Sequence, residues 1–291
     1  MKKFNIKIGV LALTLSFGAL LSCDTENEDI TLDSSESTET ELLAKRGEET
    51  NCTRGKSNFE TREVDIKDPV NSGKMDDRTC HQDYYELTKF NKTYGNYRIA
   101  DNSNHWDTNG LQPRMERSYP RANNNNGSNF IFKGTFIIER VGINPTNSNR
   151  SGTYIAQTKG KYSAKGTSPG SGSKDPAICL YLAKKNADGD FDIYAERIVG
   201  QRTRDIGREI IKLTTVKKGT ENTLEVRMGF RLRNGVKQHY CNTTINGTPY
   251  YWNVPEADRG SESGFRYGAY RCTGGSAHIR WANTDYKRTN K

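Results

Sequence analysis

The 291-residue chain has no repeated apolar runs of the ~20 residues that membrane helices need, which excludes a polytopic helical membrane protein. Ala and Leu are too scarce for a helical bundle. No C-x-x-C pair occurs, and none of the four histidines (His81, His105, His239, His278) falls in an H-E-x-x-H or similar spacing, so no metal site is expected. There is no G-x-S-x-G elbow and no glycine-rich phosphate loop, and no cofactor is implied. No internal repeat of fixed period is present, which disfavours propellers and β-helices. The hydrophobic share is low at 33%, yet aromatics make up 10%, which argues against wholesale disorder. Gly, Asn, Thr and Tyr are plentiful instead, as in an all-β chain with many turns.

The ends differ from the body. Residues 1–22 read as an export signal: Lys2, Lys3 and Lys7 precede an apolar stretch from Ile8 to Leu21. Leu20-Leu21-Ser22-Cys23 resembles a lipobox, which implies a lipid on Cys23 and attachment to a bacterial outer membrane. Residues 23–50 read as a tether, with ten acidic residues against Lys45 and Arg46, unable to bury enough apolar surface to order itself. Its acidic start resembles the surface-export signal of bacterial lipoproteins, so an outward-facing or secreted protein is expected. The whole chain carries 44 basic and 35 acidic residues. Setting aside the three leader lysines and the tether's ten acids and two bases leaves 39 basic and 25 acidic residues in 51–291, a net of +14. For a monomeric domain outside the cell, that balance favours an anionic polysaccharide, carboxylated or sulfated, over nucleic acid.

An oxidising compartment permits disulfides among Cys52, Cys80, Cys179, Cys241 and Cys272. Cys52–Cys80 is the favoured bridge and Cys241–Cys272 is a second option. Cys179 reads as a packed residue of an apolar strand.

Strand signals dominate from residue 130. Segments 130–141, 153–162, 177–185, 191–199, 209–217, 224–233, 236–245, 248–252, 264–272 and 276–281 are β-rich, and Asp188-Gly189, Asn234-Gly235 and Asn246-Gly247 mark hairpin turns. The acidic run Asp188–Asp192 is explained by its turn. In 224–233, Leu224, Val226, Met228, Phe230 and Leu232 share one face, while Arg227, Arg231 and Arg233 share the other. About ten strands with little helix predict an all-β sandwich of two antiparallel sheets. The segment 52–100 is expected to add outer strands and a short helix near Tyr84–Phe90.

Three segments could carry chemistry: Arg114-Met115-Glu116-Arg117, Gln157-Thr158-Lys159-Gly160-Lys161, and Phe265-Arg266-Tyr267-Gly268-Ala269-Tyr270. Residues two apart on a strand share a face. Arg114 therefore sides with Glu116, Gln157 with Lys159 and Lys161, and Arg266 with Tyr270. Tyr267 falls on the opposite, core side. If the three strands are neighbours, they present a polar face too charged to build a core.

In order and spacing these segments resemble the jelly-roll polysaccharide lyases typified by the family 7 alginate lyases. Those carry R-[ST]-E-L-R-E, Q-[IV]-H and Y-F-K-A-G-x-Y-N-Q strands. Arg114 and Glu116 match the first motif, Gln157 the second, and Phe265, Gly268 and Tyr270 the third. Lys159 stands where those enzymes have a catalytic His. Arg266 replaces Lys, and Arg271-Cys272 replaces the final Asn-Gln. A Lys paired with a Tyr makes the chain similar to the jelly-roll ulvan lyases of polysaccharide lyase family 28, whose substrate is a sulfated rhamnose–uronate polymer.

The resemblance implies a β-jelly roll with a concave groove and β-elimination next to a uronate. Arg114 and Gln157 would neutralise the carboxylate, Lys159 would be the base and Tyr270 the acid. Lys161, Arg266 and Glu116 would contact substrate. A Lys base needs a pKa well below its usual ~10.4, for which Arg114, Lys161 and Arg266 supply like-charge repulsion. His239 and His105 are reserve bases. The alternatives are a lyase for alginate or another polyuronate, and a surface glycan-binding protein without chemistry.

Overall fold

The computed structural model describes residues 62–64, 74–77, 84–89, 91–99, 113–143, 151–163, 177–199, 207–271 and 275–291. All fall within one compact unit, Glu48–Lys291. The leader, the tether, Cys23, Cys52, Cys80, Cys272, His81, His105 and Trp106 lie outside the described residues, and with them both proposed bridges in whole or part.

Sixteen strands are found among the described residues: β1 (Arg62–Val64), β2 (Lys74–Asp77), β3 (Tyr85–Lys89), β4 (Lys92–Ile99), β5 (Arg114–Ser118), β6 (Ala122–Asn123), β7 (Asn129–Arg140) and β8 (Thr153–Lys159), then β9 (Ala177–Lys185), β10 (Phe191–Ile198), β11 (Arg208–Val216), β12 (Asn222–Arg233), β13 (Val236–Ile245), β14 (Thr248–Val254), β15 (Glu262–Arg271) and β16 (Ala277–Thr289). They build two antiparallel sheets. The first runs β1-β2-β5-β15-β8-β9-β10-β11, with β6 beside β15, and the second runs β14-β13-β12-β7-β16-β4-β3. The protein is an all-β jelly-roll sandwich.

Period-2 alternation places the core between the sheets. Leu224, Val226 and Met228 of β12 point inward with Phe132 and Phe136 of β7 and Trp281 of β16. Tyr267 sits among them, 5.2 Å from Trp281 and 5.0 Å from Phe132, ring centre to ring centre. Burying each such ring stabilises the fold by roughly 2–3 kcal/mol.

Two sequence expectations change. The short helix near Tyr84–Phe90 is instead strand β3. Asn91 takes a left-handed turn (φ 58°) that folds β4 back onto it, and the Thr88 and Thr93 hydroxyls meet across the pair at 3.1 Å. The last strand extends eight residues beyond Trp281, to Thr289, because Asp285–Thr289 pairs with β7 past a register shift.

Cys241 is a buried thiol and not half of a disulfide, and Cys179 is likewise free and packed. Both line a cavity of about 290 Å³ between β9–β11 and β13–β14, with Tyr250 and Trp252. Burial pushes the Cys241 thiol up to about 11 and raises Cys179 as well, so neither is a ready thiolate nucleophile.

Candidate active site

The three polar segments become neighbouring strands. β15 lies between β5 and β8 in the first sheet. Arg114 stands opposite Tyr270, and Glu116 opposite Gly268. On the other flank Gln157 stands opposite Arg266 and Lys159 opposite Gly264. The intervening residues Met115, Ala156, Phe265, Tyr267 and Ala269 all enter the core. Arg114, Glu116, Gln157, Lys159, Arg266 and Tyr270 therefore share the face turned away from the second sheet. Lys159 and Tyr270 flank Gln157 along it.

Glu116 is the centre of this face and is fully buried. The Gln157 side-chain amide donates to its two oxygens at 2.6 and 2.7 Å. Arg114 lies 3.5 Å and Arg266 3.9 Å from the same carboxylate. Gln157 reaches Glu116 across the whole width of β15, and Gly268 is what it crosses. That glycine has φ +140°, and a Cβ there would lie 2.2 Å from the Met115 carbonyl oxygen. It would also lie 2.8 Å from the Tyr97 ring in the core, so only glycine fits this backbone.

The expectation that Glu116 contacts substrate does not fit this placement. Its oxygens are occupied from within, and it orients Gln157 and two guanidinium groups. Two arginines around one carboxylate leave a surplus positive charge.

Tyr270 is held on both sides. The Arg114 guanidinium lies over its ring at 4.3 Å, and the Tyr154 ring packs at 5.3 Å. Lys159 ends β8 and is half-buried. Lys161 is drawn aside: its ammonium is 3.3 Å from Glu262, which Arg121 also approaches at 3.5 Å. That pairing weakens Lys161 as a source of like-charge repulsion on Lys159. His239 is removed from the face altogether. It is buried between the sheets, stacked on Phe230 at 4.0 Å, with Nε2 3.0 Å from the Ser263 hydroxyl.

A second polar cluster on this face was not anticipated. The Tyr154 hydroxyl donates to Glu196 at 2.6 Å, and Arg208 lies 3.6 Å from the other Glu196 oxygen. Arg208 also donates to the Ala177 carbonyl at 2.8 Å. Strict alternation from Gln157 puts Tyr154 in the core. An irregularity between Tyr154 and Ala156 turns it onto the site face instead. Glu196 is itself buried.

The family model described as PL28 ulvan lyases matches residues 32–290. An endo-acting ulvan lyase of Formosa agariphila is 47% identical over 251 residues, 82% of this chain and 47% of that protein. Ulvan lyase NLR42 of Nonlabens ulvanivorans is 44% identical over 246 residues, 79% of this chain and 45% of that protein. The chain thus spans about half the length of these relatives. Among solved structures, alginate lyase PA1167 of Pseudomonas aeruginosa superposes with a TM-score of 0.50 at 17% identity, covering 70% of this chain and 86% of its own. The alginate lyase of Klebsiella pneumoniae gives 0.50 at 9% identity, over 80% and 99%. At such identity these two likenesses concern the fold.

Proposed function

Because this chain belongs to the PL28 ulvan lyases, we propose that it is an endo-acting lyase that cleaves ulvan by β-elimination next to a uronate. The observation that supports this best is the gathering of Arg114, Gln157, Lys159 and Tyr270 on one face around the buried Glu116. Relatives named ulvan lyases at 47% and 44% identity support the substrate.

The reaction requires three events. The uronate carboxylate is neutralised, so that the proton on C5 becomes acidic. A base takes that proton. An acid protonates the glycosidic oxygen as the C4–O bond breaks and the C4–C5 double bond forms. In this reading Arg114 and the Gln157 side chain hold the carboxylate. Lys159, as the neutral amine, removes the C5 proton. Tyr270, its ring held under the Arg114 guanidinium, gives its hydroxyl proton to the departing oxygen. Arg266 and Lys161 meet neighbouring anionic groups of the polymer.

The charges balance. Arg114 and Arg266 against Glu116 leave +1, and the uronate supplies −1 while Lys159 is neutral. Export, lipidation at Cys23 and display on the outer membrane belong to the same reading and rest on the leader and tether sequences.

Product analysis tests the proposal. Digested ulvan is separated by size and weighed by mass spectrometry. Oligosaccharides one water lighter than hydrolysis products, in a broad range of early sizes, are expected of an endo-acting lyase. Products of full hydrolytic mass, or only terminal units, would contradict it.

A further inference from the structure

The outer face of the second sheet carries a feature that the lyase site does not use. Tyr251 of β14, Asn242 of β13, Arg227 of β12, Ile131 of β7 and Lys287 of β16 stand directly opposite one another in sequence across the sheet. At about 4.8 Å per strand, this row is roughly 19 Å long, the span of a few sugar rings. Tyr251 is 74% exposed, and Arg227 and Lys287 are exposed as well. Four residues further along β12, the Arg231 guanidinium lies 4.8 Å over the Tyr240 ring and donates to the Gln238 side chain at 3.0 Å. Arg233 follows on the same face.

The acids of this face are already engaged. Glu225 pairs with Lys133 at 3.1 Å, and Asp285 with Lys287 at 3.5 Å. Among the described residues, Arg227, Arg231 and Arg233 have no carboxylate partner. Like charges at alternate positions of one strand repel one another, and an anionic ligand relieves that repulsion. Guanidinium groups match the planar or tetrahedral oxygens of carboxylate and sulfate, and the exposed Tyr251 ring offers sugar faces a surface to stack on. The arginines run along β12, and Tyr251 lies two strands to the side of Arg227.

We propose that this face is a second, non-catalytic binding site for an anionic polysaccharide, with Tyr251, Arg227 and Arg231 as its principal contacts. Its ligand rests on the preceding reading, being the polymer that the lyase site cleaves. It would hold the polymer on one side of the sandwich while the site on the other side works.

The test uses the full chain with and without the substitutions Arg227→Gln, Arg231→Gln and Tyr251→Ala, both forms also carrying Tyr270→Phe so that polymer is not degraded during the run. Retardation is measured in native gels containing graded ulvan, a neutral dextran, or double-stranded DNA. Removing the three contacts is expected to weaken ulvan binding roughly eightfold, about twofold for each exposed contact. The thermal midpoint should stay constant, and dextran should cause no retardation. A double variant, Arg227→Gln with Tyr251→Ala, keeps the Arg231–Tyr240 contact and should weaken binding by a smaller factor. With Tyr270 intact, KM for polymer should rise while kcat on a short oligosaccharide does not change. Unchanged retardation in the folded variants would overturn the site, as would equally strong retention by DNA. Failure of the lyase reading would look different: no unsaturated product from the unsubstituted protein, with substitution-sensitive retardation intact.

Discussion

Gln157 of β8 holds Glu116 of β5 from two strands away, with donor–acceptor distances of 2.6 and 2.7 Å. The contact fixes the Gln157 amide, and Arg114 and Arg266 stand around the same buried charge. Replacing Glu116 with Gln keeps the size and removes the charge. The two arginines then repel, and the Gln157 amide loses its anchor. A fall of roughly a hundredfold in kcat/KM on ulvan is expected, as for other misplacements near 1 Å. Initial rates of unsaturated product formation check this, and a rate within twofold of the parent would refute an orienting role.

Gly268 lies on β15 opposite Glu116, where the backbone admits no side chain. Gly268→Ala places a methyl 2.2 Å from the Met115 carbonyl oxygen at a φ that side chains disfavour. It should destabilise the fold by about 1–3 kcal/mol. Gly189→Ala is the comparison: φ is also positive, at +87°, but nothing lies within 4 Å of the added methyl. Its cost should stay nearer to 1 kcal/mol. Thermal denaturation of both variants ranks them, and an equal effect would place the strain in the backbone alone.

Lys159→Ala and Tyr270→Phe should each lower kcat by roughly 10²–10⁴-fold, the usual range for a lost general base or acid. Lys159→Arg separates base from bystander. Arginine keeps the positive charge but stays protonated, so it should be as inactive as alanine. Recovery of activity by Arg would make Lys159 an electrostatic contact and leave the base to Tyr270.

His278 offers a stability test apart from the site. Burial, together with Arg280, Arg98 and Arg140, drives its pKa well below the ordinary 6.5, and Nε2 meets the Asn96 side-chain oxygen at 2.8 Å. The unfolded chain takes up a proton near pH 6.5 while the folded chain does not. Stability from this group is therefore present above that pH and is lost as pH falls through it. The thermal midpoint should drop from pH 7 to pH 5, and His278→Asn should shrink that drop. An unchanged pH dependence in the variant would assign the effect to other groups.

Much of this was legible beforehand because strands alternate. Arg114, Glu116, Gln157, Lys159, Arg266 and Tyr270 sit on one face as parity requires, and Tyr267 and Trp281 sit in the core. What stayed hidden depends on irregularity and on long-range packing. Tyr154 reaches the site through a strand irregularity that no local pattern announces. Glu196 and Arg208 meet Tyr154 only because β8, β9, β10 and β11 stack in that order. Burial of Glu116 and the withdrawal of Lys161 toward Glu262 follow from partners about 40 and 100 residues away in sequence. The strand at Tyr85–Lys89 was missed because its hairpin is set by a left-handed Asn91 and not by an Asn-Gly or Asp-Gly pair.

The most direct test of the account is ultraviolet absorbance over time, with the purified chain incubated in parallel with ulvan, alginate, hyaluronan and polyglucuronate. A C4–C5 double bond absorbs, whereas binding and hydrolysis produce no such signal. The account predicts a steady rise with ulvan that Lys159→Ala or Tyr270→Phe suppresses. A rise with alginate alone, or none with any polymer, would contradict it.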